Sequence, residues 1–222
     1  MSNKPTKKSD SGKAWMQPRK DRVIKIAPEY HLIVSEGTKT EPQYFLAIRD
    51  AINESFRNRV QLEIVGTGAN TVSLFEKAKG LAEFGANIYK HVWIVYDKDD
   101  FSNENFDRVE LLCKESSGAE TFYHAIWSNQ CIELWFLLHF GFLQSDLHRY
   151  EYWPKLTEFL KKIGAGKYEK NRCDIYQVLR PYMDNAIMNA KKLEAINEGR
   201  RPSASAPGTK IYLIIEMLKP YL

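Results

Sequence analysis

Up to about residue 140 the chain alternates short apolar runs with stretches of helical spacing, and few folds accommodate that rhythm. Tyr30-His31-Leu32-Ile33-Val34 has the character of a buried strand and ends in Ser35-Glu36-Gly37-Thr38-Lys39-Thr40. Glu41-Pro42 then opens a helix, with Thr40 as N-cap and Tyr44, Phe45 and Ile48 on one face. Val60 to Val65 forms the second run and ends in Gly66-Thr67-Gly68; a helix from about Thr71 follows, turning Val72, Leu74, Phe75, Ala78 and Leu81 inward. Val92 to Tyr96 runs straight into Asp97-Lys98-Asp99-Asp100, ahead of a helix from about Asn105 to Glu115. Thr121 to Trp127 is the fourth run, before a helix over Cys131 to Phe140. This order predicts an α/β fold, a mostly parallel sheet with helices on both faces.

Beyond residue 145 the pattern turns helical, over about 152–163, 174–197 and 210–218, with a loop from Gly199 to Gly208 that contains Pro202 and Pro207. Three regions follow: a basic, disordered tail over 1–22, an α/β body over 23–145, and a helical extension over 146–222 packing on it. The net charge of +4 is unevenly spread, since residues 1–22 alone carry +5 and leave −1 for the rest. That tail either approaches phosphates or an acidic partner, or only keeps the chain dissolved.

Cys113, Cys131 and Cys173 show neither CxxC spacing nor a histidine cluster, which argues against a zinc site or disulfide framework and for the cytoplasm. The most apolar run, Leu134 to Leu143, is too short to cross a bilayer, and no apolar segment follows the basic start, so neither a membrane span nor a secretory signal is expected.

Ligands of parallel α/β sheets bind beyond the carboxyl ends of the strands. Glu36 leaves the first strand there, and Asp97 and Asp99 leave the third. Acids at i and i+2, joined by one from another strand, make an oxygen-rich site for Mg²⁺ or Mn²⁺. Such carboxylates repel one another unless a cation or proton relieves them. Glu133 stands in an apolar run, as a further ligand or supporting acid on a helix face with Asn129, or as a structural contact to backbone or Lys39. Lys39 can neutralise a phosphate or be a solvated loop lysine. Glu41 reads first as a helix first-turn acid, Asp100 as a solvated neighbour, and His139 as a core histidine. The Gly66-Thr67-Gly68 turn and the aromatics Tyr150, Tyr152 and Trp153 read first as a strand-to-helix turn and as packing, with phosphate approach and base stacking as the alternatives.

Residues 33–45, Ile33-Val34-Ser35-Glu36-Gly37-Thr38-Lys39-Thr40-Glu41-Pro42-Gln43-Tyr44-Phe45, resemble the opening signature of the RloB-like proteins, which carry a Toprim domain. Gly66-Thr67-Gly68, Asp97-Lys98-Asp99 and the stretch from Ser128 to Phe140 continue the resemblance in order, and a weaker match reaches Lys210 and Tyr212. Gln130, where the family usually has Pro, and Ala204 depart from it without touching the acids. The resemblance implies a Toprim-like fold and a metal site, with Glu36 as acid and candidate general base and Asp97 and Asp99 as Mg²⁺ ligands. It further implies a nuclease effector acting on RNA or DNA in antiviral (phage) defence by abortive infection, beside an ATPase partner. Homo-oligomers stay open. The alternative is a non-catalytic nucleotide- or nucleic-acid-binding module of such a complex. A receiver-like phospho-switch wants an acidic pair after the first strand, and a haloacid-dehalogenase-type phosphatase wants its DxD there; this chain has neither.

Overall fold

A computed structural model describes residues 27–99 and 101–222; the basic tail and Asp100 lie outside the described residues. The elements follow the order β1 (Glu29–Ser35), α1 (Thr40–Ser55), β2 (Val60–Gly66), α2 (Thr71–Phe84), β3 (Tyr89–Asp97), α3 (Asn103–Ser116) and β4 (Phe122–Asn129). The helices α4 (Glu133–Leu138), α5 (Arg149–Lys162), α6 (Ile175–Leu179) and α7 (Met183–Ile196) come next, then β5 (Gly208–Thr209) and α8 (Ile211–Leu218). The sheet order is β2-β1-β3-β4-β5, parallel throughout except for the antiparallel β4–β5 pair. The α/β expectation holds.

The two-residue period of a strand explains how both faces are covered. Leu32, Val34, Val92, Ile94 and Tyr96 point to one face, under α2 and α3, where Leu74, Phe75, Phe106 and Val109 meet them. Ile33, Trp93, Val95 and Ile126 point to the other, where α1 and the later helices join them in one continuous apolar cluster. Trp135 of α4 is fully buried there and donates its indole N–H to the Tyr44 hydroxyl at 2.9 Å. His139 sits in the same core, Nδ1 against the Trp135 carbonyl at 2.9 Å, and burial lowers its pKa to about 4.

The C-terminal third differs in detail from the pattern read in the sequence. The helix expected over 174–197 breaks around Pro181 into α6, a 3-10 turn at Arg180–Tyr182 and α7, because proline contributes no N–H to the ladder. The loop expected over 199–208 holds a 3-10 turn at Pro202–Ala204 and delivers Gly208 into β5. The Ser128 and Thr209 hydroxyls, 2.9 Å apart, seal that edge of the sheet. The helix expected over 131–140 contracts to α4, because its ends tighten into turns: the Leu134 N–H donates to the Cys131 carbonyl at 3.1 Å and the Phe140 N–H to the Leu137 carbonyl at 3.0 Å.

Candidate functional site

Sheet order decides what the acidic strand ends can do. β1 has β2 on one side and β3 on the other, so the chain leaves β1 in opposite directions, and the crevice outside the carboxyl ends of β1 and β3 is the switch point of the sheet. Glu36 and Asp97 flank that crevice. The Glu36 N–H donates to the Val95 carbonyl at 2.9 Å, which carries the β1–β3 ladder past the last strand residue.

The Gly66-Thr67-Gly68 turn is a clamp on Glu36. The Thr67 N–H donates to the Ser35 carbonyl and the Gly68 N–H to the Glu36 carbonyl, each at 3.0 Å. A Cβ on Gly66 would stand 2.8 Å from the Gly37 carbonyl oxygen and from Pro42 Cγ, so only glycine lets the two turns meet. Thr40 is the first residue of α1 rather than a side-chain cap; its hydroxyl donates to the Lys170 carbonyl at 2.6 Å and ties α1 to the loop after α5.

Five carboxylates converge. Asp97 Oδ2 accepts the Ile132 N–H at 3.3 Å. Asp99 is in the left-handed region, φ +35°, which aspartate tolerates better than most residues. Its Oδ1 pairs with Arg149 at 2.7 Å. Glu133 opens α4, is buried, and its Oε1 accepts the Trp153 indole N–H at 3.1 Å and the Tyr168 hydroxyl at 2.9 Å. Asn129 does not join it, since its amide donates to the carbonyls of Pro202 and Ser203, each at 3.3 Å. Glu41, buried in the first turn of α1, lies over Gly37 so closely that a Cβ there would be 1.9 Å from Glu41 Oε2.

The electrostatics reflect the crowding. Burial, then the charges of Glu41, Glu133, Asp99 and Glu36, push the Asp97 carboxyl well above its ordinary range. Burial lifts Glu36 to about 7, with Asp99 and Glu41 adding to the rise and the Asp97 backbone N–H opposing it. Glu41 is raised first by burial and then by Glu133, with Lys170 opposing. Glu36 Oε2 is buried without a hydrogen-bond partner, an acceptor that a cation or a water would satisfy. The donor set is oxygen only, the chemistry of Mg²⁺ or Mn²⁺.

Two adjoining clefts, of about 240 and 460 Å³, share Glu41, Asp97, Asp99 and Lys170. Glu133, Arg149, Tyr150 and Trp153 line the first; Glu36 and the exposed Lys39 line the second. Glu36, Asp97, Asp99 and Glu133 thus come to one place, with Lys39 on its rim. Glu41, Arg149 and Lys170 were not singled out for the site by sequence reasoning. Glu41 carried a signal, inside the Glu-Gly-Thr-Lys-Thr-Glu block, but a first-turn acid has a simpler helical reason. Arg149 and Lys170 carried none, since only folding brings them to the sheet. A larger cleft of about 670 Å³ lies between α7, β5 and α8, and its Lys191 and Lys210 are neutralised by Glu216 and Glu194.

Among the described residues one tighter donor group exists, Glu29, His31 and His91, with ligating atoms within 4.8 Å of one another. The acids of the switch point stand wider than this, as repulsion between unneutralised carboxylates favours. The histidine group sits at the amino ends of the strands and is satisfied internally. The Trp93 indole N–H donates to His31 Nδ1 at 3.2 Å, which leaves the proton on Nε2, facing Glu29 Oε1 at 2.9 Å. His91 Nδ1 meets His124 Nε2 at 2.9 Å, and burial lowers the pKa of all three rings. A cation at His31 Nε2 would need the tautomer that sets two N–H groups against each other.

A mostly parallel α/β sheet with carboxylates gathered at its switch point defines the class. The model of the RloB-like protein family matches residues 31–218, and the chain belongs to that family. Comparison with curated proteins and with solved structures found no significant match. No helix among the described residues is long and apolar enough to cross a membrane.

Proposed function

We propose that this chain is a metal-dependent nuclease-type effector that hydrolyses phosphodiesters of RNA or DNA, with Glu36, Asp97 and Asp99 holding Mg²⁺ or Mn²⁺. The observation that carries the reading is the crowding of five carboxylates at the switch point, with Asp97 and Glu36 raised far above ordinary acids. A fold retains such repulsion when a cation relieves it in the working state. When bound, the divalent ion would lower the pKa of a coordinated water and offset charge on the phosphate.

The chain's own residues supply the rest. Without metal, Glu36 with a pKa of about 7 holds or releases a proton near neutral pH, and it can serve as a general base only through a carboxylate oxygen that is not holding the cation. Glu133, gripped by Trp153 and Tyr168, is a positioning acid that holds the wall of the cleft. Lys170 and Lys39 face the same opening and can meet phosphate oxygens. The family resemblance supports a role in phage defence, beside an ATPase partner. One observation favours a second reading, a non-catalytic nucleic-acid-binding module: Arg149 occupies Asp99 at 2.7 Å. In that case metal tightens association without turnover.

The test is cleavage of end-labelled RNA and DNA by pure protein, with and without the ATPase, in Mg²⁺, Mn²⁺ or EDTA. Cleavage is expected with metal and is expected to vanish in Asp97→Ala and Glu36→Gln. Cleavage that survives both substitutions overturns the site.

A further inference from the structure

We propose that the smaller cleft seats an unpaired nucleic-acid strand, with one base stacked on Trp153 and meeting Tyr150 edge-on, and its phosphate toward Asp97 and Asp99. This rests on the nuclease reading and names its substrate class: unpaired strand rather than duplex.

The sequence Tyr150-Glu151-Tyr152-Trp153 puts three aromatics in one helical turn, and α5 sorts them. A capping box at His148 and Glu151 sets where the helix begins. From there Tyr152 falls on the stripe of Leu156 and Leu160 and is fully buried with them. Tyr150 and Trp153, three apart, share another face, and they remain 63% and 39% exposed. The apolar core therefore accounts for Tyr152, and the hydrogen bond to Glu133 for the orientation of Trp153, but neither gives a reason for the exposed ring surface of Tyr150 and Trp153.

Their surroundings supply one. Both line the cleft of about 240 Å³ together with Asp97, Asp99 and Glu133. The Trp153 indole is held by its N–H on Glu133 Oε1 at 3.1 Å, so its plane is set before anything binds. The Tyr150 ring stands edge-on to it, centroids 6.5 Å apart at 83°. A cation lies over one face of each ring: Lys170 Nζ 5.9 Å from the Trp153 centroid, and the Arg149 guanidinium, which also pairs with Asp99, 5.4 Å from the Tyr150 centroid.

An acidic cluster repels a polyanion, so the attraction that brings a strand here must come from elsewhere. Ring stacking and flanking cations are the two sources that single-strand binders combine, and every base has a π-face for the first. Bases within a duplex have those faces already stacked. A platform at the mouth of an acidic cleft therefore selects strand that is unpaired, or that can be splayed.

The experiment is fluorescence anisotropy of the full chain with labelled 12-mers, single-stranded DNA and RNA in separate arms and a blunt hairpin of the same composition, in Mg²⁺ and in EDTA. The unpaired 12-mers are expected to bind at least about tenfold tighter than the hairpin, and Tyr150→Ala and Trp153→Ala to weaken them roughly 5- to 100-fold. Tyr150→Phe, which keeps the ring on an exposed residue, is expected to stay within about threefold of wild type. Preference for the hairpin, no binding in any arm, or alanine variants that bind like wild type would overturn the inference. Cleavage read on the same samples separates it from the parent reading. Ring-dependent binding without metal-dependent cleavage removes the nuclease and keeps the platform, whereas cleavage indifferent to both rings does the reverse.

Discussion

Replacing Glu36 by Gln probes the electrostatic logic of the site without any substrate. Burial first, then Asp99 and Glu41, raise the carboxyl from 4.5 to about 7. A raised acid binds its proton more tightly in the folded chain than in the unfolded one. Stability therefore falls as pH rises from 4.5 to about 7; the cost is absent below that window and complete above it. At about 1.4 kcal/mol per pH decade the interval sets a ceiling of ~3.4 kcal/mol, and partial exposure of Glu36 screens this to roughly 1–2 kcal/mol. Glutamine resembles the protonated acid. Metal-free Glu36→Gln should melt above wild type at pH 8 by roughly 2–6 °C, and the two should converge near pH 4. Adding Mg²⁺ at pH 8 should narrow or reverse the order, because wild type gains stability by mass action and the variant has lost a charged ligand. Calorimetry at both pH values, with and without Mg²⁺, reads all of this. A Glu36→Gln chain no more stable than wild type at pH 8, or a difference that persists at pH 4, would refute the reasoning.

Three further substitutions examine the scaffold. Gly66→Ala drives a methyl to 2.8 Å from the Gly37 backbone, so it should cost about 1–3 kcal/mol in urea unfolding and weaken metal binding by calorimetric titration, since Glu36 hangs on that turn. Gly80→Ala, inside α2 with nothing within 4 Å of the new methyl, should instead raise stability by about 0.5–1 kcal/mol and leave metal binding alone. Trp135→Ala empties the core between α4 and α1 and strands the buried Tyr44 hydroxyl. It should cost about 3–5 kcal/mol, visible as a large drop in the denaturation midpoint.

How much of the molecule was legible in the sequence depended on whether the governing interaction was local. The strands of Leu32-Ile33-Val34 and Val92-Trp93-Ile94-Val95-Tyr96 announce themselves because residues buried on both faces must all be apolar. Glu36, Asp97 and Asp99 were visible because each terminates such a run, where the polarity changes within one residue. The divided fate of Tyr150, Tyr152 and Trp153 was not visible, because helical phase relative to the core depends on where α5 docks. The break at Pro181 was open to a reader of the sequence; the pairing of Gly208 and Thr209 with β4 was not, since a two-residue strand has no period.

The amino-acid order alone thus settled the kinds of elements and the acids at their ends, through short-range sterics and the demand that a buried strand be apolar throughout. Only the tertiary structure decided that β1 lies beside β3, which sets Glu36 against Asp97 across some sixty residues of chain. It also brought Glu41, Lys170, Arg149 and Trp153 to that same crevice. Strand order and helix docking follow from burial summed over distant segments, and no local stretch of sequence contains that sum.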